Sequence, residues 1–403
     1  MGEGRKSKRG TSFRFWGEGT TMNKFLIKKI STKNIEQELI NIGYDKSYAF
    51  KGKEKFEYLN FKIFDITSAQ GNILKQLALS VGADCATHKL VITGQIEKSD
   101  CILGGNISQL RTIAQKLQLQ PFGLKDLGVK IEELINHHPA LPTGEGTKII
   151  GILNVTPDSF SDGGKYFSAE NAISHLNELI IDGADIIDIG AETTKPGAKE
   201  VSADEQLKRL VPVLNYIKEN KITVPISVDT RSAKVADVCA ELGVSIINDV
   251  SGLDFDKNMV DVIAKHGLKI IIQHSQGTPD IMQNNPQYDN LTDEIFKSLA
   301  EKIDYAVSKG IKKENIIIDM GIGFGKTREQ NFEILHRWKD FQTLGCPIML
   351  GVSRKSLLSI PDASNDEKDL YTLALNSILI NKKIDYIRVH NVKIHKKLLE
   401  ILT

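Results

Sequence analysis

The spacing of apolar residues changes along the chain and divides it near residue 141. Alternation of apolar and polar residues in Phe56–Ile66 predicts a β-strand, and apolar residues three and four apart in Gly71–Ala83 predict a helix. The other predicted elements are two short strands and an amphipathic helix, namely KLVIT, DCILGG and ISQLRTIAQKLQLQ. The pattern therefore predicts a small α+β module over residues 22–141.

A segment rich in proline and glycine follows this module. The stretch HHPALPTGEGT contains two prolines and two glycines, which interrupt both helical and extended patterns. We therefore expect a linker at residues 142–147.

Beyond the linker, short apolar runs rich in β-branched residues alternate with stretches of helical spacing. Eight runs predict strands, namely KIIGILNV, ADIIDIGA, PISVDT, SIINDV, KIIIQHS, IIIDMGI, PIMLGVS and YIRVHN. Nearly continuous apolar strands that alternate with helices about eight times are typical of a closed parallel barrel. Residues 148–403 are thus predicted to form a (β/α)8 TIM barrel. An open doubly wound sheet is the alternative, although the first strand lacks the GxGxxG turn of its dinucleotide-binding form.

Polar residues follow every predicted strand of the barrel. In this fold the C-terminal strand ends and the loops after them share one rim, where active sites lie. The rim residues, in strand order, are Asn154; Glu192, Thr193, Thr194 and Lys195; Asp229 and Arg231; Asn248 and Asp249; Gln273 and His274; Asp319; Ser353, Arg354 and Lys355; Arg388 and His390. One buried polar residue has an ordinary structural explanation, but eight strands that each deliver one predict a binding site.

The residue types on this rim indicate the chemistry of the ligand. Asp229, Asn248 and Asp319 offer carboxylate and amide groups, which suit a planar heterocycle with a guanidine-like edge, because carboxylates accept paired N–H donors. Other rim residues carry a positive charge or can gain one, namely Lys355, Arg388 and His390. Such groups suit phosphate oxygens or a ring carbonyl. The predicted ligand therefore combines an amidine-like ring with an anion.

Composition and charge exclude several classes of function. The 403 residues are 41% hydrophobic and 26% charged with a net charge of +1, so nothing favours a nucleic-acid or membrane partner. No apolar run reaches the ~20 residues of a membrane helix.

The four cysteines have no metal-ligand spacing and are expected to be reduced and structural. The basic, glycine-rich residues 1–21 predict a disordered tail and not a secretory signal. We expect a cytoplasmic homodimer that acts on small molecules.

The rim motifs resemble those of one enzyme family. They occur in the order NVTPDSFSDGG, GAETTKPGA, SVDT, INDVSG, HSQGTPDIMQ, DMGIGFGK, GVSRKS and RVHNV. Together they resemble dihydropteroate synthase, the sulfonamide target of folate biosynthesis, from about Lys148 to the C-terminus. The preceding module resembles the leading domain of some members. The resemblance implies condensation of 6-hydroxymethyl-7,8-dihydropterin diphosphate with p-aminobenzoate to give 7,8-dihydropteroate and pyrophosphate.

The resemblance also assigns roles to the residues that bind the pterin. It implies a pterin pocket formed by Asp229, Asn248, Asp319 and Lys355, with Arg388 against the ring. The pterin delocalises positive charge as pyrophosphate departs, so the arylamine attacks without a strong protein base. The two aspartates stabilise that charge, and the lysine and arginine complete the expected catalytic set.

The second substrate and the metal are assigned in the same way. The resemblance implies that Arg388, His390 and Asn154 hold the diphosphate and Mg²⁺, with the Asn154 amide oxygen as the metal ligand. It also implies that the loops after Asn154 and around Thr194 close over the site. The expected contacts of the substrates within these loops and the p-aminobenzoate slot are Thr194, Lys195, Phe160, Pro196 and Ser356.

Three residues depart from the family pattern, and two other functions stay open. Lys195 stands where Arg is common, Ser275 where Met follows the His, and Met320 where Pro follows the Asp. These changes affect affinity and inhibitor response more than the reaction. A methyltetrahydrofolate-type pterin methyltransferase has no use for the diphosphate cations, and a non-catalytic pterin-binding protein has no need to keep Lys355 and Arg388.

Overall fold

The computed structural model describes residues 27–136, 146–156, 169–192, 200–276, 286–358 and 362–402. The chain divides into two compact units, of which the first ends at Asn136 and the second contains a closed barrel. The predicted tail, residues 1–21, and most of the predicted linker, residues 142–147, lie outside the described residues.

The first unit is an α+β module built on a three-stranded antiparallel sheet. Its strands are β1 (Tyr58–Thr67), β2 (Asp84–Thr87) and β3 (Lys98–Asn106), with β3 in the middle. Its helices are α1 (Ile35–Asn41), α2 (Lys46–Lys53), α3 (Ser68–Ser80), α4 (Ile107–Leu117) and α5 (Leu124–Asn136). Thr67 and Asn106 begin α3 and α4 with reciprocal capping boxes, which satisfy backbone N–H groups that the first helical turn leaves free.

The core of this module is formed by the sheet together with α3, α4 and α5, and it includes Leu74, Leu103 and Leu110. The predicted strand KLVIT is wrong, because residues 89–94 form turns and the strand lies at Asp84–Thr87. Val91 is nevertheless buried, and a Cβ placed on Gly71 of α3 would lie only 3.2 Å from its Cγ1. The apolar residues of KLVIT therefore contribute to the core from a turn.

The second unit is a closed barrel of eight parallel strands. Each strand pairs with the next in the sequence, and the last pairs with the first. The strands are β4 (Lys148–Asn154), β5 (Ile186–Gly190), β6 (Ile226–Asp229), β7 (Ile246–Asp249), β8 (Lys269–Gln273), β9 (Ile316–Asp319), β10 (Ile348–Leu350) and β11 (Tyr386–Val389). The prediction of a TIM barrel preceded by a small α+β module is confirmed.

A helix follows each barrel strand. These helices are α6 (Ala169–Ile181), α7 (Ala203–Glu219), α8 (Ala233–Glu241), α9 (Met259–His266), α10 (Leu291–Ser308), α11 (Arg328–Arg337), α12 (Asn365–Asn381) and α13 (Val392–Leu402). Their apolar faces and the outward side chains of the strands form the main core, which includes the fully buried Trp338 and Phe341. Among the described residues, no helix is both long and apolar enough to cross a membrane.

The barrel interior is apolar at its N-terminal end and polar at its C-terminal end. Six buried side chains form the apolar layer: Ile150, Ile186, Ile246, Ile271, Ile317 and Met349. Side chains alternate between the two faces of a strand, so the next interior position lies two residues further on. From Ile186, Ile246 and Ile317 that position is Asp188, Asn248 and Asp319. The fold thus places the polar residues of alternate strands, β5, β7 and β9, in one layer above an apolar floor.

We predict that Ile317→Ala weakens this floor. The side chain is 2% exposed, and removing a buried isoleucine side chain typically costs about 2–5 kcal/mol of stability. Ile401→Ala is the control, because Ile401 is 80% exposed. Urea unfolding followed by the fluorescence of buried Trp338 measures both changes. Equal losses in the two variants would contradict the packed floor.

Candidate active site

An arginine held between two carboxylates lies at the centre of the polar layer. The Arg388 Nε donates to Asp188 Oδ2 at 2.6 Å, and its Nη2 donates to Asp229 Oδ2 at 3.0 Å. The Asn248 Nδ2 also donates to Asp188 Oδ2, at 3.0 Å. Three of the predicted rim residues, Arg388, Asp229 and Asn248, therefore form one hydrogen-bonded group with a fourth residue, the carboxylate Asp188. We missed Asp188 because it lies within an apolar strand, although its position two residues after Ile186 is the available signal.

Burial and neighbouring charges determine the protonation of this group. Burial raises the pKa of Asp229 to about 7, with further contributions from the negative charges of Asp188 and Glu192, while Arg388 acts in the opposite direction. Burial disfavours the charge of Arg388, but Asp188 and Asp229 outweigh it and raise the arginine pKa. The site therefore holds a permanent cation beside a carboxyl group that titrates near neutral pH.

Asp319 lies at the end of β9, two residues above the floor residue Ile317. Its Oδ1 accepts from the Gly321 backbone N at 2.7 Å. Burial raises the pKa of Asp319, and the positive charge of Lys355 lowers it. Gly321 has a φ of +67°, and a Cβ there would collide with the backbone oxygen of His274. The turn that positions Asp319 thus requires a glycine both for its backbone angle and for the close approach of the next loop.

Lys355 lies beside Asp319 on the turn after β10. Its Nζ donates to the Ile322 backbone oxygen at 2.5 Å and lies 4.6 Å from the centre of the Phe324 ring. Burial lowers the pKa of Lys355 to about 8, while Asp319 favours its charged form. The preceding residue, Arg354, has a φ of +56° and forms a two-bond ion pair with Asp369 of α12. This pair fixes the strained turn that presents the lysine.

Burial favours the neutral form of His390, one of the predicted rim residues. Its Nδ1 lies 2.9 Å from the Ser353 Oγ. Burial lowers the pKa of His390 to about 3, and the positive charges of Arg354 and Arg388 lower it further. The histidine is therefore a neutral hydrogen-bonding group at the rim, and the predicted rim serine is its partner.

Other predicted rim residues have structural contacts. Arg231 pairs with Glu192 at 3.2 Å and lies over the ring of Phe255. Asp249 accepts hydrogen bonds from the backbone of Ser251 and Leu253 and shapes its own turn. Gln273 Nε2 donates to the backbone oxygen of Val250 at 3.3 Å. These polar side chains stabilise the rim and do not join the group around Arg388.

Asn154 ends β4 on the same rim and is half-buried. Its Oδ1 lies 3.6 Å from the place where Gly190 would carry a Cβ, so the glycine leaves space beside this oxygen. Within the described part of the chain, no group of three or more His, Cys, Asp or Glu side chains is arranged to hold a metal ion. Asn154 thus offers a neutral oxygen ligand, and the described residues form no protein cage around it.

Several predicted residues are not described by the structure. The side chain of Ser356 belongs to this group, and four predicted residues lie wholly outside the described ranges: Phe160, Thr194, Lys195 and Pro196. Of the other departures from the family pattern, Met320 is fully buried in the main core and Ser275 is half-buried. The four cysteines are free and buried.

A buried lysine is the second residue that sequence reasoning missed. Lys326 is 3% exposed, and its Nζ contacts His274 and the loop after Asp319. Lys326 ends the DMGIGFGK motif, and sequence reasoning missed its burial because a lysine between glycines and a helix start is usually on the surface.

We predict that Gly321→Ala costs more stability than Gly267→Ala. Both glycines have positive φ, +67° and +63°, so the backbone strain of an alanine is similar. Gly267 has open space around it, whereas a Cβ on Gly321 meets backbone. The difference between the two losses of stability measures the steric cost of the Cβ on Gly321. We expect this cost to be about 1–3 kcal/mol, as for overpacked side chains in a core. Thermal unfolding that is equal in the two variants would show that the Asp319 turn tolerates a side chain.

Comparison with known proteins shows which family the chain matches. The family of pterin binding enzymes matches residues 150–390. The dihydropteroate synthase of Clostridium beijerinckii is 44% identical over 251 residues, which cover 62% of this chain and 90% of that protein. A crystal structure of a dihydropteroate synthase from Clostridium difficile, obtained with pteroic acid, is 40% identical with a TM-score of 0.60, covering 64% of this chain and 96% of that one.

One relative is also similar to the first unit. A probable bifunctional folylpolyglutamate synthase/dihydropteroate synthase of Haloferax volcanii is 34% identical over 343 residues, or 80% of this chain. The chain spans only 40% of the length of that relative.

Proposed function

Because this chain belongs to the pterin binding enzymes, among their dihydropteroate synthases, we propose that it condenses 6-hydroxymethyl-7,8-dihydropterin diphosphate with p-aminobenzoate. The products are 7,8-dihydropteroate and pyrophosphate, and the chain is a transferase of folate biosynthesis. The observation that carries the proposal is the polar layer of the barrel, where Asp229, Asn248 and Asp319 adjoin Arg388 and Lys355.

The acceptors of this layer suit the edge of a pterin ring. The pterin carries an amino group and ring N–H groups on one edge, and carboxylates accept such paired donors. The Asn248 Oδ1 is buried and accepts no hydrogen bond from the described residues, so it is available to the ring. We assign Asp319, Asn248 and Asp229 to the pterin edge.

The cations suit the rest of the substrate. Lys355 is a strong donor next to Asp319 and is assigned to the ring carbonyl side of the pterin. Arg388 is planar and held on one side by Asp188 and Asp229, which leaves a face of the guanidinium for the ring. Neutral His390 serves the diphosphate as a hydrogen-bond donor through Nε2.

The reaction follows from this charge distribution. The bond between the pterin methylene carbon and the diphosphate oxygen breaks, and its electron pair leaves with pyrophosphate. The methylene carbon becomes positive, and the ring spreads this charge toward Asp229 and Asp319, whose carboxylates stabilise it in a site shielded from water. The amine nitrogen of p-aminobenzoate then forms the new C–N bond and releases a proton to solvent.

A Mg²⁺ ion fits the residues present. Mg²⁺ keeps several waters and usually takes one or two protein oxygens together with substrate phosphates, and Asn154 offers one such oxygen with space beside it. When bound, the ion neutralises charge on the departing pyrophosphate. The absence of a larger ligand group among the described residues agrees with this mode.

We assign the p-aminobenzoate slot to Phe160, Pro196 and Ser356, and we assign Thr194 and Lys195 as further substrate contacts. We also propose that the protein is cytoplasmic and forms a homodimer. Exposed Leu370 and Ile378 on α12 support the dimer, since they lie eight residues apart on one face of the helix.

We predict that the purified chain releases pyrophosphate from the pterin diphosphate only when p-aminobenzoate and Mg²⁺ are present. Asp319→Asn keeps the shape and the bond to Gly321 but removes a charge, and losing a charge-assisted hydrogen bond costs about 1.5–3 kcal/mol. We therefore expect turnover about 10- to 100-fold lower. Asp304→Asn, a change at an exposed position on α10, is the matched control.

The same assay separates the alternatives. A pterin methyltransferase would bind the ring and release no pyrophosphate, and a non-catalytic protein would bind the pterin without consuming it. Wild-type protein that binds the pterin but forms no dihydropteroate would refute the proposed reaction.

We predict that pterin affinity is greatest between about pH 7 and pH 8. Asp229 must be ionised to accept ring N–H groups, so affinity rises with pH until Asp229 has lost its proton, at about 7. Lys355 must be protonated to donate, so affinity falls as pH rises through about 8. Calorimetric titration across pH 5.5 to 9.5 measures both limbs. Asp229→Asn should flatten the acid limb, and an unchanged limb in that variant would remove Asp229 from the pocket.

A further inference from the structure

Lys326 lies buried beneath the proposed pterin pocket. It follows the glycine-rich turn after β9 and directly precedes Thr327, which caps α11. Its Nζ lies 2.8 Å from the Phe324 oxygen, 3.1 Å from the Gly321 oxygen and 3.1 Å from His274 Nδ1. A fourth contact reaches the His274 oxygen at 3.5 Å. All four partners are neutral acceptors, so the ammonium group is satisfied without an ion pair in contact.

These contacts join two loops of the active-site rim. His274 follows β8, whereas Gly321 and Phe324 follow β9. The β9 loop donates the Gly321 N–H to Asp319, and its Ile322 oxygen and Phe324 ring contact Lys355. Lys326 therefore holds the backbone that positions both Asp319 and Lys355.

The contact with His274 also determines the tautomer of the imidazole. An ammonium group donates hydrogen bonds and accepts none, so Nδ1 must be the acceptor and the ring proton must lie on Nε2. Burial, together with the positive charge of Lys326, lowers the pKa of His274 to about 2, so the ring is neutral. His274 is thus a fixed Nε2–H donor at the rim.

Charge supplies a second link between Lys326 and the pocket. Burial lowers the pKa of Lys326 to about 7, and Asp319 opposes this by favouring the ammonium form. Three cations act on Asp319 and lower its pKa: Lys355 on the turn after β10, Lys326 before α11, and Arg388 on β11. Below pH 7, where Lys326 is charged, it helps to keep Asp319 ionised.

We propose that Lys326 is a positioning residue of the pterin pocket, which fixes His274 as the Nε2–H tautomer and holds the β9 loop that positions Asp319 and Lys355. This inference rests on the proposed function for its ligand. Its geometric part, the tautomer of His274, does not depend on any ligand.

The first test is nitrogen NMR of histidine in the ligand-free wild-type protein, with the His274 signal assigned by its loss in His274→Asn. We expect a neutral ring with its proton on Nε2 from pH 5.5 to 6.5, where Lys326 is charged. A ring with its proton on Nδ1, or one that titrates near pH 6.5, would overturn the inference whether or not the protein is a synthase, and this test requires no variant at Lys326.

The second test compares pterin binding in Lys326→Met, Lys326→Arg and wild type. Without the charge, the pKa of Asp319 rises, so Asp319 takes up a proton together with Asp229 on the acid limb and pterin affinity below pH 7 falls about tenfold. Lys326→Arg should return the limb toward its wild-type position. Lys396→Met is the matched control, because Lys396 pairs with Asp185 just before β5, at the opposite end of the barrel.

The outcomes separate this inference from the proposed function. Wild type that binds no pterin would refute the proposed function and leave the NMR result to decide on Lys326. Wild type that binds pterin, with Lys326→Met showing the same affinity and the same acid limb, would overturn the inference. A loss of stability alone, similar to that of Lys396→Met, would also assign Lys326 a purely structural role.

Discussion

The sharing of Arg388 between Asp188 and Asp229 is the interaction on which the site depends. Asp188 is fully buried, and an isolated charge in that position would be strongly unfavourable. The positive charge of Arg388 offsets the cost of burying Asp188. The guanidinium plane is fixed because it bonds to both Asp188 and Asp229. Removing either partner leaves a buried charge without compensation, which is why such pairs are costly to break even when their net contribution to stability is small.

The barrel makes this arrangement possible through a simple alternation. Interior side chains recur every two residues, so a floor of isoleucines and one methionine is followed by Asp188, Asn248 and Asp319 at the same height. Asp188 and Asn248, on the alternate strands β5 and β7, lie within hydrogen-bonding distance of each other across the barrel interior. The result is a site with alternating charges, in which Asp229, Lys355 and Lys326 titrate near neutral pH because burial opposes their charged forms.

Much of the fold and part of the site followed from the sequence, for identifiable reasons. Eight apolar runs with helices between them leave few alternatives to a closed barrel, and polar residues at strand ends must meet on its rim. The strand predicted in KLVIT was wrong because Val91 is buried from a turn, which local pattern cannot distinguish from a strand. The preference of His390 for its neutral form did not follow from the sequence, because its burial depends on residues far away in the sequence. Asp188 and Lys326 were missed for the same reason, since their partners lie on other strands and loops.

The most direct test of the account is a crystal structure of the chain with a pterin diphosphate analogue and Mg²⁺. The account predicts the ring edge within hydrogen-bonding distance of Asp229, Asn248 and Asp319, the guanidinium of Arg388 against the ring face, and the diphosphate toward Asn154 and His390. A pterin bound elsewhere on the barrel, or a ring edge that contacts none of the three acceptors, would contradict the central claim that this polar layer is the pterin site.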